Sequence, residues 1–170
     1  MAGTARVSIV RLTTSERNAF LEAEAVRYAE SKSRAGVWTP EKAPARARKE
    51  FHELLHGQAG LRGHRFYKGL DGSRREIGWV WIGPVPGAEA DRHSRWLFQI
   101  LVKEEFRGQG LGRALLRAVE ERAAADGAET LGLNVWAFNT VAHSLYESSE
   151  YETVARYPAG TEMRKRLVPK

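Results

Sequence analysis

The 170 residues predict a mixed α/β fold, and three observations carry that reading. Residues 96–102 are nearly all apolar, the pattern of a central strand buried on both faces, and residues 130–136 read as another buried strand. Between them, Leu111, Ala114, Leu115, Ala118 and Val119 recur at the spacing of one helical face. A helix crossing over between two buried strands makes those strands parallel. The remaining segments complete the order β-α-α-β-β-β-α-β-α-β-β.

Residues 7–12 alternate apolar and polar side chains and suit a first strand. Thr13 and Glu16 form an S/T-x-x-E capping box, so a helix should start there and run to about Ser33, before the breakers Gly36 and Pro40. Pro44 can open a second helix, continued by Ala47, Phe51, Leu54 and Leu55 and stopped by Gly57. Residues 64–70 read as a strand, Asp71-Gly72 as a hairpin turn, and residues 76–82 as the partner strand. The period of two puts Trp79 and Trp81 on one face of it. Residues 83–94, with two prolines, form a loop. The crossover helix covers residues 110–126, with Glu120, Glu121 and Arg122 facing out and Gly127 as its stop. A short helix at residues 140–149 follows the second buried strand. A hairpin of residues 151–157 and 162–167, turning on Pro158-Ala159-Gly160, closes the fold. No repeat, low-complexity tract or linker divides the chain, so residues 1–170 are expected to form a single domain.

With 42% hydrophobic residues the chain can bury a sizeable core. The absence of cysteine excludes disulfides, thiolate zinc sites and a catalytic thiol. The N-terminus has no apolar run after a basic start, and no segment nears the roughly 18 apolar residues of a membrane span. A cytoplasmic protein with no membrane partner is the expectation. The net charge of +6 suits a small anionic ligand as well as nucleic acid. The basic clusters at residues 46–49 and 164–166 are too short to favour nucleic acid.

The segment Arg107-Gly108-Gln109-Gly110-Leu111-Gly112 lies between a buried strand and an amphipathic helix. Glycines allow a tight turn and close approach of backbone to ligand. N–H groups at a helix start, with the helix dipole behind them, favour bound phosphate. Arg107 and Arg113 add positive charge at either end. The physics predicts a pyrophosphate cradle. The spacing is neither the G-x-G-x-x-G of dinucleotide-binding folds nor a P-loop, since G-K-[ST] is missing.

Residues 102–116, VKEEFRGQGLGRALL, resemble the R/Q-x-x-G-x-G/A motif of the GNAT acetyltransferases, matched by Arg107, Gly110 and Gly112. The resemblance extends downstream through LNVWAFNTVAHSLYESSEYE, with Asn139, Ala142 and Tyr146 in the expected places, and upstream to residues 77–82. It covers residues 77–167 well and the first 60 residues in element order. It implies a twisted mixed sheet of about seven strands with about four helices, the central strands splayed around acetyl-CoA. Two departures stand out. Glu150 occupies a position usually held by Gly, and Gln99 one that is often acidic.

The resemblance implies direct attack of a neutral primary amine on the thioester. The cosubstrate would lie on Ile100, Leu101, Val102, Arg107, Gly108, Gln109, Gly110, Leu111, Gly112, Arg113, Asn139, Ala142 and Tyr146. A splayed strand leaves backbone N–H groups free to polarise an oxyanion, and Leu101 or Val102 is the expected donor. Tyr146 matches the residue that protonates the departing thiolate; a phenol keeps its proton at neutral pH. Asn139 either contacts the pantetheine arm or caps the short helix. Glu30 is the first candidate for the general base, with Glu24 and Glu76 behind it. Tyr28, Trp38, Trp79 and Trp81, with Gln99, are candidates for the acceptor groove, where aromatic faces can hold a cationic amine or an apolar side chain.

His52-Glu53-Leu54-Leu55-His56 is a literal H-E-x-x-H and raises a zinc metalloprotease as a competing class. No third ligand follows at the required distance and Gly57 should end the helix at once, so no metal is expected. A third class is a CoA-binding module that has lost catalysis. The acceptor, a small-molecule or peptide amine, is not legible, and oligomeric state stays open, a homodimer being one option.

Overall fold

The computed structural model describes residues 5–58, 60–87 and 91–168. One seven-stranded sheet runs in the order β1-β2-β3-β4-β5-β7-β6. Its strands are β1 (Ser8–Arg11), β2 (Arg65–Leu70), β3 (Glu76–Gly83), β4 (Ser94–Val102), β5 (Thr130–Trp136), β6 (Glu152–Tyr157) and β7 (Gly160–Arg166). Four α-helices join them: α1 (Thr14–Arg34), α2 (Ala43–His56), α3 (Leu111–Ala125) and α4 (Thr140–Glu147). Every neighbouring pair is antiparallel except β4 and β5, which α3 connects in parallel as the crossover argument requires. The mixed α/β fold and the element order match the expectation. Part of the 83–94 loop, residues 88–90, lies outside the described residues.

The capping box forms as read. The Thr13 side chain accepts from the Glu16 amide and Glu16 accepts from the Thr13 amide, satisfying two of the otherwise orphaned donors at the start of α1. Two cores result. On one face Leu115, Leu116 and Val119 of α3 pack with Leu97, Leu131, Leu133, Val135, Met163 and Tyr146. Each fully buried Leu there contributes on the order of 2 kcal/mol. On the other face Phe20 and Leu21 of α1 close over Phe66 and Trp81, joined by Phe51, Leu54 and Phe98. The expectation that Glu120 faces solvent is corrected: its carboxylate meets Lys165 Nζ of β7 at 2.8 Å in a largely buried pair.

Candidate active site

The site begins with an irregularity in β4. Gln99 pairs with Trp81 and Leu97 with Ile82, so Phe98 is an extra residue, a β-bulge. The bulge turns both Phe98 and Gln99 toward α1. The ladder between β4 and β5 stops at the same point, at Leu97 opposite Leu133. From there the two strands part, and each keeps its outer neighbour only.

Strand alternation tells which backbone groups are left over. Lys103 N–H donates to the Ile77 carbonyl, so the amide of Leu101 also turns toward β3 and those of Ile100 and Val102 turn into the gap. The Val102 carbonyl accepts from Arg107 Nε at 3.0 Å, and the Ile100 amide donates to Gln99 Oε1 at 3.1 Å. Of the two expected oxyanion donors, Leu101 is therefore committed to Trp79, and Val102 has its N–H in the gap. On the facing strand, Leu167 N–H donates to Glu129 and Ala137 N–H to Ala159, so β5 bonds β7 through its odd-numbered residues. In the last β4–β5 rung the Asn134 amide donates to the Leu97 carbonyl, and the Trp136 carbonyl accepts from Asn139 N–H, so it is the Asn134 carbonyl and the Trp136 amide that face the gap.

Beyond Val102 a 3₁₀ turn, Glu104–Phe106, leads into the glycine loop. Gly108 and Gly110 have φ of 71° and 75°, the left-handed region that side chains with a Cβ adopt at a cost. A Cβ on either would meet nothing within 4 Å, so the loop is open in front of them. Gly110 is the N-cap of α3, without a side-chain cap. The consequence is a row of donors: among the described residues, none of the backbone N–H groups of residues 108–113 donates a hydrogen bond. That is far from the usual satisfaction of backbone groups and creates an electropositive concavity at a helix start. The arginine side chains do less than their position suggested. Arg107 is tied to Val102, and Arg113 reaches across to Ser148 and Ser149 at the end of α4, bonding the Ser148 carbonyl at 3.1 Å. Gln109 folds back onto the Glu105 carbonyl.

Tyr146 on α4 is 7% exposed, packs against Tyr151 and Leu145, and its hydroxyl has no hydrogen-bond partner among the described residues. Burial pushes its pKa well above the ordinary value, so the phenol is protonated throughout the neutral range. Asn139 accepts from the Ala142 amide at 3.2 Å and so caps α4, while Ala142 packs on the core edge.

The carboxylates separate clearly. Glu30 is exposed on α1. Six residues at 3.6 per turn place it about 120° round the helix from Glu24. It lines an outer groove between α1 and α2, with Val26, His52 and Leu55, and not the gap. Glu76 pairs with Lys103 at 3.0 Å on β3. Glu24, only 6% exposed, lies over the bulge: Gln99 Nε2 donates to Oε1 at 2.7 Å and Arg27 Nε to Oε2 at 2.8 Å. Burial raises its pKa, with Arg27 and Gln99 working in the opposite direction. A signal for Glu24 existed in the sequence. It interrupts the stripe Phe20, Glu24, Tyr28 at i, i+4 spacing, a carboxylate on the inward face of a helix.

The aromatic candidates also divide. Trp81, 4% exposed, stacks on Phe98 and Phe66 and donates from Nε1 to His64 Nδ1 at 2.9 Å, so it is core and not groove. Trp79 is partly covered and its ring face is taken by Lys103 Nζ at 5.1 Å. Tyr28 and Trp38 meet edge to face, and the Tyr28 hydroxyl donates to Glu50 at 2.9 Å. Their faces are occupied from within the chain: Lys32 Nζ stands 5.2 Å from Tyr28, 5.1 Å from Trp38 and 5.7 Å from Trp136. Lys32 and Trp136 had not been singled out from sequence.

The H-E-x-x-H pair is a feature of the surface. The His52 and His56 rings lie 4.5 Å apart on an exposed side of α2, which ends at His56. No group of three or more His, Asp or Glu side chains gathers as metal ligands among the described residues. Nor is any described helix long and apolar enough to cross a membrane.

Comparison with known proteins agrees with this geometry. The chain is 27% identical over 146 residues to the uncharacterized N-acetyltransferase YycN of Bacillus subtilis (strain 168), covering 86% of this chain and 92% of that one. The YycN crystal structure has a TM-score of 0.80 over 89% of this chain and 95% of its own, at 26% identity. A second B. subtilis protein, the uncharacterized N-acetyltransferase YdgE, is 29% identical over 92% of this chain and 95% of its own. The spermidine N-acetyltransferase of Vibrio cholerae, solved with CoA and spermine, shares the fold with a TM-score of 0.65, at 16% identity over 95% of this chain and 96% of its own. Residues 23–151 match the acetyltransferase (GNAT) family, and with the parted strands and the amide row in place the chain belongs to that family, as an acetyl-CoA-dependent N-acetyltransferase.

Proposed function

We propose that acetyl-CoA lies along the open ends of β4 and β5 and that the acetyl group passes directly to a primary amine. The row of unused amides at residues 108–113 carries this reading. A diphosphate is the ligand class that such a row, at a helix start and ahead of an open loop, accommodates. The Asn134 carbonyl and the Trp136 amide suit the amides of a pantetheine arm, which would enter as an incomplete extra strand. Bound there, acetyl-CoA supplies the thioester carbon that the amine attacks.

Three residues do the remaining work. Glu24 takes the proton of the incoming ammonium; its raised pKa and buried position suit it better than exposed Glu30, and Gln99 holds it over the bulge. The Val102 amide polarises the thioester oxygen as negative charge develops. Tyr146 gives its unshared proton to the sulfur as the carbon–sulfur bond breaks, the resulting phenolate takes up the second proton of the attacking nitrogen, and the new amide leaves with the acetyl group. The other expectations belong to the same proposal: residues 1–170 act as one catalytic domain, in the cytoplasm, on a small-molecule or peptide amine, as a monomer or homodimer.

The test is calorimetric. The wild-type chain should bind CoA, and Gly110→Asp should weaken it at least about 100-fold, since a carboxylate would face the phosphates. Asp tolerates positive φ better than most residues, so the turn should survive the change. Equal CoA affinity in that variant would remove the cradle and the proposal with it.

A further inference from the structure

The aromatic cluster that sequence reading assigned to the acceptor is filled by the protein's own cations. Lys32 sits among Tyr28, Trp38 and Trp136. Two residues on, the Arg34 guanidinium lies 4.2 Å from the Phe138 ring centroid, and Phe138 is stacked parallel to Trp136. Arg46 of α2 stands over Trp38 at 5.9 Å. The side chains of these three cations make no hydrogen bond or ion pair with any described residue, whereas Arg27 pairs with Glu24 and Lys103 with Glu76. Among the described residues, the one carboxylate bonded to the cluster is Glu50, at the Tyr28 hydroxyl.

The cluster's place in the fold ties it to the reaction. Trp136 ends β5, three residues past the last rung between β4 and β5, and Phe138 is in the turn to α4, the helix of Tyr146. On α1, Glu24, Tyr28 and Lys32 follow one another at i, i+4 spacing, so Lys32 is about 12 Å along the helix from Glu24. Ring faces hold the cations in place and lower the entropy lost when they bind an anion. Three unpaired positive charges beside the end of β5 repel a polycation and attract an anion.

We infer that the acceptor is an amine that also carries an anionic group, such as a carboxylate or phosphonate, several bonds away, and that Lys32, Arg34 and Arg46 bind that group. The inference rests on the proposed course of acetyl-CoA and deepens it by naming the substrate class. It makes polyamines poor acceptors despite the shared fold with a spermidine acetyltransferase.

Matched acceptors test it: lysine against 1,5-diaminopentane, which lacks only the carboxylate, with spermidine as a third arm. The wild-type chain should favour lysine by at least about tenfold in kcat/KM. Lys32→Gln combined with Arg34→Gln should raise KM for lysine at least about tenfold, leave kcat within about twofold, and leave the diamine unaffected or improved. A parallel titration of glutarate into the CoA-loaded protein reads the anion site without turnover. Glutarate should bind the wild-type chain and lose that binding in the double variant. If no amine is acetylated but glutarate still binds in this way, the course proposed for acetyl-CoA falls and the anion site stands. Better turnover of the diamine or spermidine, or glutarate binding that is absent or unchanged by the double variant, overturns the inference.

Discussion

Glu24 is buried with one hydrogen bond at each carboxylate oxygen, so its charge is set by competition between desolvation and two polar partners. Desolvation prevails and the pKa is raised. A raised carboxyl pKa means that the folded chain holds a proton the unfolded chain has already released. Its contribution to stability therefore declines as pH rises past the ordinary value of 4.5. The activity it supports runs the other way, appearing only as the group ionises. Glu24→Gln should thus lower kcat about 100-fold or more and remove the acid limb from the pH profile of kcat/KM, while stability at pH 7 in urea titrations is unchanged or increased. Retention of the limb would take Glu24 out of the chemistry. Glu150 carries a different cost. It adopts φ of 70° in the turn where Tyr151 N–H returns to the Tyr146 carbonyl and closes α4. A glycine there would relieve left-handed strain, so Glu150→Gly should add about 1 kcal/mol in the same titration, with activity retained. That departure was legible in the residue type alone. The inward turn of Glu24 rather than Glu30 was only faintly legible, because spacing on a long helix with many charges ranks faces poorly until its neighbours are known.

At the scale of elements, local chemistry was the most legible. The capping box starting α1, the Pro at the start of α2, the glycines ahead of α3 and the crossover between parallel strands all follow from residue types and periods. The bulge at Phe98 was not legible, since an extra residue in a run apolar but for Gln99 leaves no mark on its pattern. With it went the orientation of Gln99 and the point where β4 and β5 part. The burial of Trp81 escaped for a related reason: period two assigns Trp79 and Trp81 to one face but does not say how far α1 and α2 extend over it. The start of α1 offers a test of its own. Glu16 is held at a pKa of about 2 by its bond from Lys68, then by the Thr13 amide and hydroxyl. A lowered carboxyl pKa stabilises the fold above the ordinary value of 4.5, and that stabilisation fades as pH falls toward 2. In Glu16→Gln the decline of Tm between pH 4.5 and pH 2 should be shallower than in the wild-type chain, as measured by circular dichroism. An identical slope would mean that the cap and its lysine do not couple to folding.

For the whole molecule, the functional fact is that the sheet is nearly two sheets. Among the described residues, strands β1 to β4 and strands β5, β7 and β6 share a ladder of only the four rungs from Ser94–Thr130 to Leu97–Leu133, with α3 packed across the join. Past those rungs the halves lack a common ladder, and the amide row of residues 108–113 sits beside the opening. A ligand filling the gap would bridge backbone groups on both halves. It would also bind only the folded chain and so stabilise it by mass action, about 2.7 kcal/mol at a concentration 100 times its Kd. Hydrogen exchange resolves where that stabilisation acts. With saturating CoA, protection should rise at residues 108–113, and also at Val102 on one strand and at Trp136 on the other. The alternating residues Leu101, Leu133 and Val135, already bonded to their outer neighbours, should change little. Protection confined to the glycine loop would show a phosphate site without a strand-like arm. Protection on β4 but not β5 would mean that the halves are not bridged. The alternation is what makes the experiment decisive, because a general tightening of the fold would slow odd and even residues alike.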